Sequence, residues 1–340
     1  MKKLKCAVIG CGRIGCEFDD NQSNSIKTHA GSYFKNIQSD LVALCDLDEK
    51  KVKKYAKKYK VSKTYNSTKE LFKNENLDCV SICTLVSTHL KIVEEAANSG
   101  IKGIFLEKPI SDSINDARKI IELCTKNNIK LQIDHQRRFH PIYTKIKKIL
   151  DEKKIGKIQT INAYYGAGVA NTGSHLFDLL RMLFGEIKYV KSESSHNNSL
   201  NQKDPNLDIK MKFLNSTVCR INSLDYTNYA KFDIEVYGMK GVIKMDLIKN
   251  QATLAKISNK SNVYKILEKE NIIKEKISET PIQRGLKDLI NSIKLDKKTI
   301  SNGNEGLKSL EIIVAARKSF NQKREIKLPL ANNNFKIYSK

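Results

Sequence analysis

The sequence predicts an α/β protein: a doubly wound parallel sheet at the N-terminus, followed by an α+β domain with a large, mostly antiparallel, open sheet. Three observations predict this fold class. Strand-like and helix-like segments alternate up to about residue 134, a glycine-rich turn follows the first strand, and several later strands succeed one another without helices between them. The change in pattern predicts two domains, at residues 1–134 and 135–340.

The N-terminal elements follow from short apolar runs, which predict strands, and from amphipathic runs, which predict helices. Residues 48–59 carry a single apolar stripe formed by Val52, Tyr55, Ala56 and Tyr59, as expected of a helix that covers a sheet. The predicted strands are 4–9, 41–46, 79–84, 103–109 and 130–134, and the predicted helices are 48–59, 88–100 and 111–128. Strands and helices that alternate at this spacing indicate a parallel sheet covered on both faces.

The C-terminal elements show a different rhythm. Helices are predicted at about 141–151, 173–185, 281–295 and 303–321, and strands at 187–195, 207–214, 217–226, 231–237 and 241–247, with a short strand-like segment in "REIKLPL". Consecutive strands of this kind favour antiparallel pairing. Residues 250–280 are polar and rich in lysine, and their weak periodicity assigns them no element.

The composition is that of a globular protein with a strong positive charge. Of the 340 residues, 40% are hydrophobic and 29% are charged, and the formal net charge is +24. No apolar run approaches the ~20 residues that cross a bilayer, so we expect a cytoplasmic protein without a membrane partner. The lysines are spread along the whole chain without an aromatic-rich basic stripe, which disfavours nucleic acid as a partner. The charge suits an anionic small-molecule substrate.

The segment "CAVIGCGRIGC", residues 6–16, allows either a cysteine site or a phosphate-binding turn. The chain has eight cysteines but no CxxC and no Cys/His group with zinc spacing, so we expect reduced thiols and no metal. Gly10, Gly12 and Gly15 form GxGxxG directly after a strand, and Cys16 is expected to begin the next helix. Such glycines let the backbone approach a pyrophosphate, which thiolates would repel. The pattern favours the phosphate-binding turn.

An acidic residue, Asp46, ends the next predicted strand, where it can accept hydrogen bonds from the adenosine ribose of a dinucleotide. The gap before Asp46 exceeds the usual ~20 residues, and we assign the excess to residues 18–33. A carboxylate at this position favours NAD, because the 2′-phosphate of NADP would lie against it. Lys50 and Lys51 follow closely, so NADP remains the alternative.

Lys108 follows a buried strand in "FLEKP", at the carboxyl edge where doubly wound sheets bind ligands. A lysine there can polarise, or donate a proton to, the oxygen whose carbon exchanges hydride. The alternative is an ordinary solvated lysine, which the position disfavours. Past another strand, "QRRF" supplies Gln136, Arg137 and Arg138. One arginine is a candidate ligand for an anionic substrate, and the alternative is that the two adjacent arginines form only a surface pair.

A second candidate cluster lies in "NTGSHLFDLL", residues 171–180. Asn171 opens a predicted helix, and His175 and Asp178 lie three residues apart on one face of it. The positive helix end disfavours a charged imidazole, which leaves a neutral His175 able to accept a proton. Asp178 can orient that ring. A capping histidine in an apolar helix is an equally good interpretation of this stretch alone.

Taken together, these motifs resemble the Gfo/Idh/MocA oxidoreductases over roughly residues 4–325. The matching segments are the glycine turn, Asp46, "EKP", "QRRFHP" and "NTGSHLFD". The resemblance implies a Rossmann domain, an α/β domain whose open sheet packs against another subunit of a homodimer or homotetramer, and an NAD(P)-dependent dehydrogenase or reductase of sugars or polyols. It also implies that Lys108 and His175 form the acid/base pair and that Glu107 lies by the nicotinamide ribose.

Two departures from the family pattern bear on substrate and cofactor contacts. Asn171 stands where many members have Asp, a form that resembles the branch acting on nucleotide-linked N-acetylhexosamine uronates. The segment from Thr84 to His89 keeps these two residues but lacks the usual Pro and Asn between them. The predicted catalytic residues are Lys108, His175, Asn171 and Asp178; the predicted cofactor ligands are Gly10, Gly12, Arg13, Ile14, Gly15, Asp46, Thr84, His89, Glu107, Lys108 and Gln136; and the predicted substrate ligands are Lys108, Arg138, Asn171 and His175.

The sequence therefore predicts an oxidoreductase that moves hydride between nicotinamide C4 and a ring carbon of a sugar, with a nucleotide-linked sugar of surface-polysaccharide synthesis as the favoured substrate. Two alternatives remain: a dehydrogenase of a free sugar or cyclitol such as inositol, and a non-enzymatic regulator that senses the dinucleotide.

Overall fold

The computed structural model describes residues 3–20, 25–194, 197–258, 264–268, 270–331 and 333–338. Its packing divides the chain into two compact units. The first contains the described residues up to Phe139 together with Ser278–Leu307, and the second contains His140–Ile277 together with the described residues from Lys308 onward. The predicted boundary between residues 134 and 135 stays a prediction, and the grouping of 278–307 with the N-terminal unit was not foreseen.

The first unit is built on a six-stranded parallel sheet with the order β3-β2-β1-β4-β5-β6. The strands are β1 (Leu4–Ile9), β2 (Ser39–Cys45), β3 (Lys63–Tyr65), β4 (Cys79–Ile82), β5 (Gly103–Leu106) and β6 (Lys130–Ile133), and the helices are α1 (His29–Lys35), α2 (Glu49–Tyr59), α3 (Thr68–Asn74), α4 (His89–Ala97) and α5 (Ile114–Lys126). This strand order is that of a dinucleotide-binding fold, and it places the switch in direction between β1 and β4.

The helix after the glycine turn begins at His29 and not, as the sequence predicts, at Cys16. One turn forms after Gly12, but the Ile14 and Gly15 carbonyls accept hydrogen bonds from the amides of His29 (3.1 Å) and Ala30 (3.0 Å). In an uninterrupted helix the Ile14 carbonyl would bond to residue 18, so the chain loops out eleven residues before the helix resumes. This excursion accounts for the long gap before Asp46.

Two further elements show how side chains set the packing of this unit. In α2 the predicted stripe of Val52, Tyr55, Ala56 and Tyr59 is buried, and Asp48 caps the helix by accepting a hydrogen bond from the Lys51 amide. A further helix, which we number α8 (Pro281–Lys294), packs on α1, β5 and β6. Gln132 on β6 donates its side-chain amide to the Gly285 carbonyl of α8 at 2.5 Å, which ties this late helix to the sheet.

The second unit contains a nine-stranded sheet with the order β14-β13-β12-β11-β7-β10-β9-β8-β15. Its strands are β7 (Ile158–Tyr165), β8 (Ile187–Ser194), β9 (Leu207–Phe213), β10 (Val218–Ser223), β11 (Asp233–Gly238), β12 (Gly241–Asp246), β13 (Gln251–Lys256), β14 (Asn271–Ile273) and β15 (Ile326–Lys327). Its helices include α6 (Pro141–Asp151) and α7 (Thr172–Phe184). Helix α9 (Gly303–Gln322) supplies residues to both units. Neighbouring strands are antiparallel except β7 and β10. The predicted α/β fold class is confirmed.

Several elements were not predicted. The segment 250–280, left unassigned from its sequence, contributes β13 and β14, and β3, α3 and β7 also lack a counterpart among the predicted elements. Within the part of the chain that the structure describes, every helix is too short or too polar to cross a membrane.

Candidate active site

The glycine turn after β1 has the shape that a pyrophosphate requires. Gly10 has a φ of +93°, and a Cβ there would lie 2.6 Å from the Cys83 carbonyl oxygen. At Gly15 a Cβ would lie 1.9 Å from the Gly10 carbonyl oxygen, so both glycines are fixed by backbone packing. A Cβ at Gly12 would meet nothing within 4 Å. The open side of Gly12 therefore forms a cradle, and its binding of the phosphates of NAD stays a prediction.

Asp46 follows β2 directly and is held in place by the backbone. Its carboxylate accepts hydrogen bonds from the Cys11 amide at 2.6 Å and from the Asp48 amide at 2.9 Å. The two amide donors fix the Asp46 side chain beside the glycine turn. This is the position from which an acid accepts hydrogen bonds from the ribose of NAD. Arg13, in the same turn, is exposed, and its guanidinium lies 5.0 Å from the centre of the Phe18 ring.

A buried polar cluster lies at the carboxyl ends of β4, β5 and β6. His29, at the start of α1, places Nε2 3.1 Å from Glu107 Oε1 and 3.6 Å from Asp134 Oδ2, and its Nδ1 lies 2.8 Å from Ser81 Oγ. Asp134 Oδ2 also accepts a hydrogen bond from the Gln136 side-chain amide at 2.9 Å. The predicted cofactor ligands Glu107 and Gln136 thus belong to one network, which we call the His29 cluster: His29, Ser81, Glu107, Asp134 and Gln136.

The charges of the His29 cluster depend on one another. Burial would lower the pKa of His29, but Cys83, Asp134 and Glu107 together raise it well above its usual value. Burial, and next the neighbouring Asp134 carboxylate, raise the pKa of Glu107 to about 7 against the opposing effect of His29. Burial acts in the same sense on Asp134, but the His29 ring 3.6 Å away holds the pKa of Asp134 below its usual value. The raised pKa of His29 and the lowered pKa of Asp134 both favour an imidazolium–carboxylate pair, and the raised pKa of Glu107 favours its protonated form.

The donor atoms of this cluster also suit a cation, because one atom each of His29, Glu107 and Asp134 lies within 4.8 Å of the others. An imidazolium at His29 is the alternative to a metal ion for balancing the carboxylate charge there. The prediction of a metal-free protein stays a prediction.

Lys108 follows β5 and Glu107 directly, and its side chain is half-buried. The backbone of Lys108 therefore lies at the same sheet edge as the glycine turn and the His29 cluster, as its place after a buried strand predicts. Arg138, the predicted anion ligand, pairs with Glu305, with Nη2 2.7 Å from the carboxylate oxygen. That ion pair was not foreseen, and a role for Arg138 in binding substrate stays a prediction.

Thr84 lies on the loop after β4, and His89 is the first residue of α4. His89 is buried, with its ring nitrogens 3.3 Å from the Thr84 carbonyl oxygen and 3.2 Å from that of Ile110, and burial lowers its pKa. The Thr84 hydroxyl lies 2.7 Å from the Thr88 hydroxyl. The structure thus connects the two residues and uses His89 as a neutral brace of this loop.

The second predicted cluster lies at the start of α7 in the other unit. Asn171 is the N-cap residue, but its side-chain amide donates to the Ala167 carbonyl at 3.3 Å, and its backbone amide bonds to Asp204. His175 is half-buried in the first turn. Asp178 is buried, accepts a hydrogen bond from the Ser309 hydroxyl at 3.2 Å and lies 3.7 Å from Arg181. The predicted orientation of His175 by Asp178 stays a prediction.

His29 and Asp134 are the site residues that sequence analysis did not identify. The segment "THAGSY" contains a signal, since Thr28 caps α1 by accepting the Gly31 amide and a histidine then enters an apolar helix. Its partners come from β4, β5 and β6, far away in sequence, so the pattern alone could not reveal the cluster.

Two family models match the chain. The Gfo/Idh/MocA model described as an oxidoreductase family with an NAD-binding Rossmann fold matches residues 4–135, and the model of the family's C-terminal alpha/beta domain matches residues 147–328. Together they cover most of the chain.

Individual proteins agree with this match. The chain is 25% identical over 346 residues to a myo-inositol 2-dehydrogenase of Thermotoga maritima, covering 96% of this chain and 98% of that protein. It is 25% identical over 280 residues to oxidoreductase P35 of Formosa agariphila, covering 75% and 83%. Among solved structures, the WlbA dehydrogenase of Bordetella pertussis, in complex with NADH and UDP-GlcNAcA, superposes with a TM-score of 0.78 at 19% identity, covering 97% of this chain and all of that one.

The glycine cradle, the fixed carboxylate of Asp46 and the two matched models agree on one conclusion. The predictions of family, enzyme class and NAD as cofactor are confirmed: the chain belongs to the Gfo/Idh/MocA family and is an NAD-dependent oxidoreductase.

Proposed function

We propose that this enzyme oxidises or reduces a ring carbon of a nucleotide-linked sugar. The observation that supports it most is that two motifs occur in one chain: "EKP" after β5 and N-x-G-x-H at the start of α7. The second of these resembles the branch that acts on nucleotide-linked uronates. Two WlbA dehydrogenases similar in fold, from Bordetella pertussis and Chromobacterium violaceum, are described in complex with NADH and UDP-GlcNAcA.

In this proposal NAD supplies the hydride acceptor or donor, and the chain supplies the groups that handle protons and charge. Gly10, Gly12 and Gly15 with the Asp46 carboxylate would hold the dinucleotide. Lys108 stabilises the negative charge that develops on the substrate oxygen, and His175 accepts its proton during oxidation and returns it during reduction. Asn171, a neutral amide, cannot act as a base, so the proton transfer falls to His175 and Lys108.

The proposal includes a cytoplasmic location and a homodimer or homotetramer. We assign this self-association to one face of the nine-stranded sheet. Strands β9 and β10 alternate between buried and exposed residues, and their register places Lys210, Arg220 and Asn162 side by side on the less buried face. The family resemblance implies that such a face packs against another subunit. The native mass from light scattering measures this directly.

A second candidate function is the oxidation of a free sugar or cyclitol. It is favoured by the names of curated relatives, which include the myo-inositol 2-dehydrogenase and a D-apiose dehydrogenase of Paraburkholderia graminis that is 26% identical over 216 residues. The two candidates differ in whether a nucleotide must be attached to the sugar, so a substrate panel separates them.

The test follows absorbance at 340 nm with purified protein, NAD⁺ and NADH, and a panel of nucleotide sugars, free sugars and cyclitols. We expect turnover of a nucleotide-linked sugar, with Lys108→Ala and His175→Ala each lowering kcat by about two orders of magnitude or more. Lys102→Ala is the matched control, because that exposed lysine pairs with Asp78 away from the sheet edge. Turnover of free sugars alone would favour the second candidate, and NADH binding without turnover of any sugar would favour a regulator.

A further inference from the structure

The segment looped out between the glycine turn and α1 carries carboxylates to the lysines of α2. Glu17 pairs with Lys51, with 2.9 Å between Oε1 and Nζ. Asp20 pairs with Lys54 at 2.6 Å and with Lys58 at 2.8 Å, and it accepts a hydrogen bond from the Tyr55 hydroxyl. Lys51, Lys54 and Lys58 therefore each have a carboxylate partner from this segment. We call its described residues, 16–20 and 25–28, the inserted segment.

The inserted segment holds Glu17 in a fixed place. Asp19, in the same short 3-10 helix, accepts hydrogen bonds from the Lys27 amide at 2.6 Å and from the Thr28 hydroxyl at 2.5 Å. The Lys58 ammonium donates to the Asp19 carbonyl at 2.7 Å. Both ends of the segment are thus tied to the fold, and Glu17 itself is only half-exposed.

Lys51 is the residue that Glu17 most directly affects. It lies in the first turn of α2, five residues after Asp46, where a cation can meet a phosphate on the adenosine ribose. The hydrogen bond to Glu17 raises the pKa of Lys51, and the nearby carboxylates of Asp46 and Asp48 act in the same direction. A cleft in front of these residues is lined by Glu17, Asp20, Asp48, Lys50, Lys51, Lys54 and Tyr55.

We propose that Glu17 is a specificity-determining residue, which favours NAD over NADP by pairing with Lys51 and withholding it from the 2′-phosphate. An uncharged ribose hydroxyl does not need Lys51, because Asp46 can accept its hydrogen bond. A 2′-phosphate carries a charge of about −2 and would meet the carboxylates of Glu17, Asp46 and Asp48, with the nearby ammonium already paired. This goes beyond the preference that Asp46 alone provides, since Lys51 would otherwise offset it.

The test is calorimetric titration of NADH and NADPH into the whole chain without substrate, so its outcome does not depend on which sugar the enzyme uses. We expect Glu17→Gln to tighten NADPH binding about fivefold, the size of a surface charge interaction, and to change NADH binding less than about twofold. Adding Lys51→Ala to Glu17→Gln should abolish that gain. Glu49→Gln is the matched control, because Glu49 pairs with Lys53 on the same helix without contacting the inserted segment.

Three outcomes would overturn the proposal. One is an unchanged ratio of NADPH to NADH affinity in Glu17→Gln that still binds NADH normally. Another is a gain that survives Lys51→Ala, which would assign the phosphate to Lys50 or Lys54. The third is a loss of NADPH affinity caused by Lys51→Ala in the wild-type chain that is as large as the loss it causes in the Glu17→Gln variant. Lys51 would then already bind the phosphate in the presence of Glu17. Unchanged NADH affinity in each variant shows that the fold and the cofactor site are intact.

Discussion

Replacing His29 by glutamine should destabilise the first unit through the charge of its buried cluster. The imidazole is 1% exposed, lies 3.1 Å from Glu107 and 3.6 Å from Asp134, and packs edge-on against Phe105 with 4.5 Å between ring centres. Glutamine keeps a hydrogen-bonding amide but removes the positive charge. Two buried carboxyl groups then share one site without a cation, and breaking a buried pair in this way costs about 3–5 kcal/mol.

The contrast with Glu107→Gln separates the charge effect from a general packing effect. Glu107→Gln removes one of the two carboxylates and leaves the His29–Asp134 pair, so it should cost less than about 1 kcal/mol. Combining it with His29→Gln should recover about 1–2 kcal/mol relative to the sum of the single changes. The assay is urea unfolding at pH 7.5 by circular dichroism, with hydrogen exchange of the peptides containing β4, β5 and β6 to locate the change.

The same cluster gives a pH dependence with a definite sign. The folded-state pKa of Glu107, about 7, lies above its ordinary value of 4.5, so the folded state binds the proton more tightly. Stability should therefore fall as pH rises from about 4.5 to about 7, by on the order of 2 kcal/mol, and Glu107→Gln should lack this decline. The raised pKa of His29 adds a loss in the same direction at higher pH. The reasoning is refuted if His29→Gln unfolds at the wild-type urea concentration, or if Glu107→Gln and wild type show the same pH profile.

Two other predictions address the glycine turn and the second unit. Gly12→Ala should keep the wild-type Tm, because nothing lies within 4 Å of the added Cβ, yet it should weaken NADH binding tenfold or more in calorimetry. Gly15→Ala should lower the free energy of unfolding by about 2 kcal/mol or more, because its Cβ would clash with the Gly10 carbonyl. Equal Tm values for the two variants would contradict this. In the second unit, burial would raise the pKa of Glu186, but Arg181 and Lys308 lower it to about 2, below its ordinary 4.5. The ionised Glu186 therefore stabilises the folded state above pH 4.5, and this contribution is lost as pH falls towards 2. Because this side chain is 41% exposed, Glu186→Gln should cost only about 1 kcal/mol at pH 7 and nothing near pH 2, as measured by Tm against pH, with the exposed Glu193→Gln as a control that changes neither value.

The sequence predicts most of the first sheet because most of its strands are short, mainly apolar runs that end in turn residues or acids. Strand β3 lacks that signal, since Lys63, Thr64 and Tyr65 are all at least partly exposed. Helix α3 buries only Leu71, which is too little to produce a periodic stripe. In β13 the buried residues Ala252 and Ala255 are small and three apart, so neither alternation nor strong hydrophobicity marks the strand.

The candidate site divides in the same way between local and long-range determinants. The glycine turn and Asp46 are predictable because each function depends on a few adjacent residues at the end of a strand. The His29 cluster and the Glu17–Lys51 pair are not, because each joins residues from separate elements. The predicted start of α1 was wrong for a related reason. The Ile14 and Gly15 carbonyls accept hydrogen bonds from amides that lie beyond the excursion in sequence, and no local pattern reveals this pairing.

That excursion has a consequence for how this fold can vary. The backbone departs from the helical path after the turn that follows Gly12, and the amides of His29 and Ala30 then bond to the Ile14 and Gly15 carbonyls. The number of residues between these two points can therefore change without altering the register of the sheet. Loop closure costs only about 0.6 kcal/mol for each doubling of length. A nucleotide-binding domain can therefore acquire or lose side chains at the rim of its ribose cleft by changes in chain length alone, while every strand keeps its partners.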